Sequence, residues 1–160
     1  MNNNEEQTIP GVVVKRMDRF TDSRGWLSEC FRQDEIDPAL YPAMSYISMT
    51  YPGIARGPHE HIEQTDYFCF IGPSSFKVYL WDNRKDSPAY GRKEVILVTE
   101  DHPISLIVPP GVVHAYKNVG NKEGLIINFA NKLYAGMGKK EKVDEVRHEN
   151  QPNSNFRIED

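Results

Sequence analysis

Ser75-Phe-Lys-Val-Tyr-Leu-Trp-Asp82 reads as a strand: Phe76, Val78 and Leu80 alternate with Lys77, Tyr79 and Trp81. A period of two puts successive side chains on opposite faces of a sheet. Working outward, β-like runs recur at 11–16, 26–32, 44–50, 65–71, 93–98, 104–108, 114–119 and 125–130. Turn formers separate them, in Asp22-Ser-Arg-Gly25, Tyr51-Pro-Gly53, Gly72-Pro-Ser74, Pro109-Pro-Gly111 and Gly120-Asn121. Short strands at this spacing argue for an all-β antiparallel sandwich or barrel. Helix is confined to a short turn-rich segment at 34–40.

The 160 residues suit one domain over 1–160, with 1–10 and 151–160 as loosely held tails. Hydrophobic residues at 39% and charged residues at 26% are those of a water-soluble globular chain. A net charge of −4 without a basic tract excludes a nucleic-acid groove. No apolar run approaches the ~20 residues of a membrane span. The start, Met-Asn-Asn-Asn-Glu-Glu-Gln, carries no signal-peptide pattern. Cys30 and Cys69 lack metal-ligand spacing and read as reduced thiols, so a cytoplasmic location is expected.

Chemistry concentrates in Ala55-Arg-Gly-Pro-His-Glu-His61 and in Pro109-Pro-Gly-Val-Val-His114. On a strand His59 and His61 project from one face, and the Pro-Pro-Gly turn can deliver His114 from a neighbouring strand. Three imidazoles beside Arg56 suit proton transfer on an anionic substrate, or a metal. His102 and His148 lie in polar segments and read as surface residues.

Four motifs follow in order: Phe20-Thr-Asp-Ser-Arg-Gly-Trp-Leu-Ser-Glu29-Cys-Phe31, Pro52-Gly-Ile-Ala-Arg-Gly-Pro-His59, Asp82-Asn-Arg-Lys-Asp-Ser-Pro-Ala-Tyr-Gly91 and Val108-Pro-Pro-Gly-Val-Val-His-Ala-Tyr116. From about residue 11 to 136 the chain resembles the dTDP-4-dehydrorhamnose 3,5-epimerase family, a branch of the cupins. The resemblance implies a cupin double-stranded β-helix (jelly-roll) barrel with few short helices. It also implies a homodimer with exchanged N-terminal strands, a nucleotide diphosphate 4-keto-6-deoxy sugar as substrate, and side-chain chemistry without metal or cofactor. His59 matches the family base, and His114 a second pocket histidine that orients substrate. Arg56 and Arg24 match arginines suited to the diphosphate or the keto sugar. Glu29 and Phe20 match positions near the nucleotide, and Tyr134 an aromatic that stacks on the base. The expected catalytic set is His59, His61 and His114.

Departures accompany the match. A lysine that follows the family base is replaced by Glu63-Gln64-Thr65-Asp66, and the family tyrosine by Ile127-Asn128-Phe129. The carboxylate that pairs with the base belongs to a C-terminal extension which this chain largely lacks. Tyr67, Tyr79 and Tyr116 stand as substitutes for the tyrosine, while Asp144 is expected to fall short of the pocket. Arg56-Gly-Pro-His-Glu-His61 also resembles the Arg-Gly-x-His-x-His motif of dTDP-sugar 3,4-ketoisomerases, in which both histidines move protons. A metal-binding cupin using His59, His61, Asp66 and His114 is a third reading. A non-catalytic sugar-nucleotide binder is a fourth.

Overall fold

A computed structural model describes residues 9–159. Twelve strands and four short 3-10 turns make up the regular structure of those residues. One antiparallel sheet runs in the order β1 (Val13–Arg16), β9 (Ile104–Val108), β6 (Asp66–Gly72), β11 (Gly124–Ala130), β4 (Met44–Thr50). The second runs β12 (Val146–Arg147), β5 (Ala55–Glu60), β10 (Val112–Asn118), β7 (Phe76–Asp82), β8 (Lys93–Val98). A separate hairpin pairs β2 (Phe20–Asp22) with β3 (Gly25–Leu27). No helix of the described residues is long and apolar enough to cross a membrane.

The two sheets enclose one apolar core, to which β6, β9 and β11 bring Phe68, Phe70, Leu106 and Ile126. The opposing sheet contributes Phe76, Val78, Leu80, Val98, Val112 and Tyr116. Each set obeys the alternation of a strand, and burying it removes the apolar surface that drives folding. The outer face of β7 is covered as well. Tyr79 and Trp81 pack with Val113 and Ala115, and Phe156 and Ile158 lie over them. The segment 151–160, expected from its polarity to be loose, is anchored there as far as Glu159, whose carbonyl accepts from the Tyr79 hydroxyl. At the other terminus residues 1–8 lie outside the described residues, and Ile9 is fully buried.

The structure differs from the sequence reading at several places. The run 55–60, which carries His59, is a strand, although Gly57 and Pro58 sit inside it. The expected strand 26–32 is only Gly25–Leu27, and the expected helix resolves into 3-10 turns at Gln33–Glu35 and Pro38–Leu40. His148 is not a surface residue. It is 8% exposed, its Nε2 is 2.8 Å from Glu60 Oε1, and its ring packs on Phe156. His102 is exposed as expected.

Gly57 sets how closely β5 approaches β10. Its φ is +84°, and a Cβ there would lie 2.6 Å from the His114 carbonyl oxygen. Gly53 also has positive φ (+76°) but faces open space. An L-residue in the left-handed region costs ~1–2 kcal/mol. Gly53→Ala is therefore expected to lose about that much, and Gly57→Ala clearly more because backbone has to move. Denaturant midpoints of the two variants measure the difference, and equal losses would mean that the approach at Gly57 is not tight.

Candidate active site

Alternation along β10 turns Val112, His114 and Tyr116 inward, and alternation along β6 does the same for Asp66 and Phe68. In register, His114 pairs with His59 on β5, and their ring centroids are 4.5 Å apart. His61 stands one residue beyond the end of β5, with its ring 6.0 Å from each of the other two. The sequence-derived triad of imidazoles is therefore assembled. Phe68, 5.5 Å from His114, separates it from the apolar core.

A fourth member completes the cluster. Asp66, 1% exposed, directs Oδ2 to 3.1 Å from His61 Nε2 and 3.2 Å from His114 Nε2. Its Oδ1 accepts from the Gln64 and Asn128 side-chain amides, both at 2.8 Å. Burial alone would raise the Asp66 pKa, but the two imidazoles hold it well below the usual carboxylate range. Burial likewise lowers His61, yet Asp66 more than offsets this and brings it up to about 8. Burial and its histidine neighbours push the His59 pKa down to about 2, which keeps the ring neutral, with one N–H and one lone pair. Among the described residues neither of its ring nitrogens makes a hydrogen bond, whereas His61 Nδ1 bonds the Asp144 carbonyl.

A cleft of about 590 Å³ opens over the cluster. His59 and His61 line it, with Met44, Tyr46 and Ser48 of β4 on one side. Arg56 lines it as well, held by Thr50 Oγ1 (3.1 Å) and the Met49 carbonyl (2.9 Å). Tyr134 and the segment Val143–Glu149 form the rim. Asp144, expected to fall short, reaches the cleft wall. Its carboxylate accepts the backbone N–H groups of Ile62, Glu63 and Gln64, and they lower its pKa against the effect of burial. A short C-terminal segment thus clamps the loop that carries His61.

The remaining sequence-derived residues lie apart within the chain. Arg24 is at the tip of the β2–β3 hairpin, pairing only with Asp22, and Phe20 is 58% exposed on the same hairpin. Glu29 pairs with Arg32. Of the tyrosines weighed as substitutes, Tyr116 reaches the cleft and bonds Ser48 (3.2 Å). Tyr67 lies among Phe31 and Phe129, and Tyr79 lies beneath the C-terminal segment. Sequence reading missed Tyr46. It pairs in register with Asn128, whose amide donates to its hydroxyl (3.0 Å). The phase it shares with Met44 and Ser48 was the available signal.

Comparison with known proteins agrees with this geometry. The family model for dTDP-4-dehydrorhamnose 3,5-epimerase matches residues 6–144. The chain is 37% identical over 128 residues to the probable low-salt glycan biosynthesis epimerase Agl13 of Haloferax volcanii, covering 79% of this chain and 81% of that protein. It is 35% identical over 126 residues to the spore coat polysaccharide biosynthesis protein SpsL of Bacillus subtilis, covering 79% and 82%. A dTDP sugar isomerase of Desulfovibrio desulfuricans shares the fold at TM-score 0.79 and 20% identity, over 94% of this chain and 92% of that one. With its barrel in place and the family model matched over residues 6–144, the chain belongs to the dTDP-4-dehydrorhamnose 3,5-epimerase family of sugar isomerases.

Proposed function

We propose that the protein epimerises a nucleotide-activated 4-keto-6-deoxy sugar at C3, C5 or both, in the making of a surface polysaccharide or another deoxysugar product. The observation that carries this reading is a cleft whose floor presents an imidazole free of hydrogen bonds among the described residues, beside an arginine and a tyrosine. A proton α to a ketone is acidic enough for a side-chain base if the enolate is stabilised as it forms. His59 takes that proton. Tyr46, oriented by Asn128, returns a proton to the other face and so fills the place of the absent family tyrosine. Arg56 and Tyr134 bind the diphosphate and the base.

His61 supports epimerisation over carbonyl migration. Its Nδ1 is engaged by the Asp144 carbonyl, and its Nε2 faces Asp66 and the Gln64 amide. An imidazole held at both nitrogens braces the site and has no edge left for a second proton shuttle.

The cleft is flanked by an open edge. Among the described residues β4 pairs only with β11, and Ile47 and Met49 are exposed on it. The hairpin meanwhile exposes Phe20, Trp26 and Leu27. Both features are accounted for by a homodimer in which each hairpin adds to the partner's β4, bringing Phe20, Arg24 and Glu29 to the nucleotide. Such exchange would cover two unpaired surfaces at once.

Three measurements test these assignments. Incubated with a 4-keto nucleotide sugar in D₂O, the wild type is expected to place deuterium at C3 or C5 with the ketone still at C4. His59→Asn should slow this by ~10²–10⁴-fold; unchanged exchange would remove His59 as the base. Tyr46→Phe should retain washed-in deuterium while the epimeric product falls roughly 10²-fold, and an unchanged product yield would exclude Tyr46 as donor. Arg24→Ala should raise KM with kcat little altered in a protein that sediments as a dimer; a monomer with normal KM would refute strand exchange.

A further inference from the structure

We propose that His61, Asp66 and His114 hold a divalent first-row metal ion, with His59 beside the position left open to the cleft. The inference deepens the reading above, naming what stabilises the enolate oxygen. It departs from the metal-free chemistry that the family resemblance implied.

Hydrogen-bond logic carries it. His61 Nδ1 meets the Asp144 carbonyl and His114 Nδ1 the Val112 carbonyl (3.1 Å). A carbonyl can only accept, so both Nδ1 atoms carry hydrogen, and each Nε2 is the nitrogen left to ligate; that of His61 also lies 3.2 Å from the Gln64 amide. Those two nitrogens point to the region of Asp66 Oδ2, at 3.1 and 3.2 Å. Three electron-rich atoms facing one another in a buried site need positive charge between them. Two added protons would supply it only if each N–H pointed at the oxygen. Instead Asp66 Oδ2 and His114 Nε2 are both buried without a hydrogen-bond partner, despite their proximity. They aim at a common point rather than at each other.

The dimensions agree with an ion at that point. Ligands about 2.0–2.2 Å from a metal stand roughly 3.0–3.5 Å from one another. The donor atoms of His59, His61, Asp66 and His114 all lie within 4.8 Å of one another. The surroundings suit ligation too. Each ligating imidazole donates its other nitrogen to a backbone carbonyl, and Asp66 Oδ1 is fixed by two amides. Such outer partners fix the tautomer and orientation that a ligand needs. Two imidazoles and one carboxylate suit Zn²⁺, Mn²⁺, Fe²⁺ or Ni²⁺, and three protein ligands leave a position for a substrate oxygen. A bound ion would polarise the ketone as a Lewis acid, a role for which the missing family lysine leaves room.

The test reads the metal separately from turnover. Protein stripped with chelator and dialysed is titrated with Zn²⁺, Mn²⁺ or Ni²⁺, followed by thermal unfolding and by elemental analysis after gel filtration. About one ion per chain and a raised Tm are expected. Asp66→Asn and His114→Asn should lose both, while circular dichroism shows whether each still folds. In case neither folds, His61→Asn provides the same reading from the rim of the site. His59→Asn should retain the ion, so loss of exchange in that variant reports on the base and not on the metal. Less than ~0.1 ion per chain, or equal binding by wild type and the Asp66 variant, overturns the proposal. Deuterium exchange by stripped wild type would then still support the epimerase reading without a metal.

Discussion

The site depends on one buried carboxylate. Asp66 is almost wholly enclosed at the start of β6, and a lone charge there would be costly to desolvate. Four groups make it tolerable: the amides of Gln64 and Asn128 on one oxygen, and the imidazoles of His61 and His114 on the other. His61 and Gln64 come from the loop after β5, His114 from β10 and Asn128 from β11, so the carboxylate ties that loop to β6, β10 and β11. Asn128 then carries the constraint onward, since the same amide that steadies Asp66 also donates to Tyr46. Asp66 and Tyr46 are thereby held by one side-chain amide. In such a network removing a member strands the others.

A second constraint is steric. His59 faces His114 at short range only because β5 comes down on β10 without a side chain at Gly57. The C-terminal segment closes the arrangement from outside: β12 pairs with β5, Asp144 clamps residues 62–64, and His148 bonds Glu60. The departures from the family pattern in the region of the lysine and the tyrosine coincide with this network. Gln64 and Asp66 occupy the stretch that lacks the lysine, and Asn128 stands where the tyrosine is missing. The changes read as a coupled rearrangement of the pocket floor.

Much of the fold was legible because its determinants are local. Phe76, Val78 and Leu80 announce a strand by alternation alone, and strands such as Met44–Thr50, Lys93–Val98 and Ile104–Val108 coincide with the runs read from sequence. The three histidines were legible as candidates from their motifs, although only His59 and His114 lie on strands and His61 stands just past the end of β5. Less local features were not. The strand Ala55–Glu60 contains Gly and Pro, which argue against a strand by propensity, and it exists because β10 and β12 pair with it. His148 and the 151–159 segment look polar in isolation, yet Glu60, Tyr79 and Trp81 supply partners that sequence proximity does not reveal.

The sequence by itself determined an all-β barrel and the family to which it belongs, and it pointed to three imidazoles with Arg56 as the candidate site. Only the tertiary structure decided that Asp66 faces two of those imidazoles, that Tyr46 and not Tyr67 or Tyr79 reaches the cleft, and that Asp144 closes its wall. The reason is physical. Alternation fixes which face of a strand a side chain occupies, but the distance between two faces is set by how closely the strands pack. A span of about 3 Å between a carboxylate and an imidazole is a property of that packing.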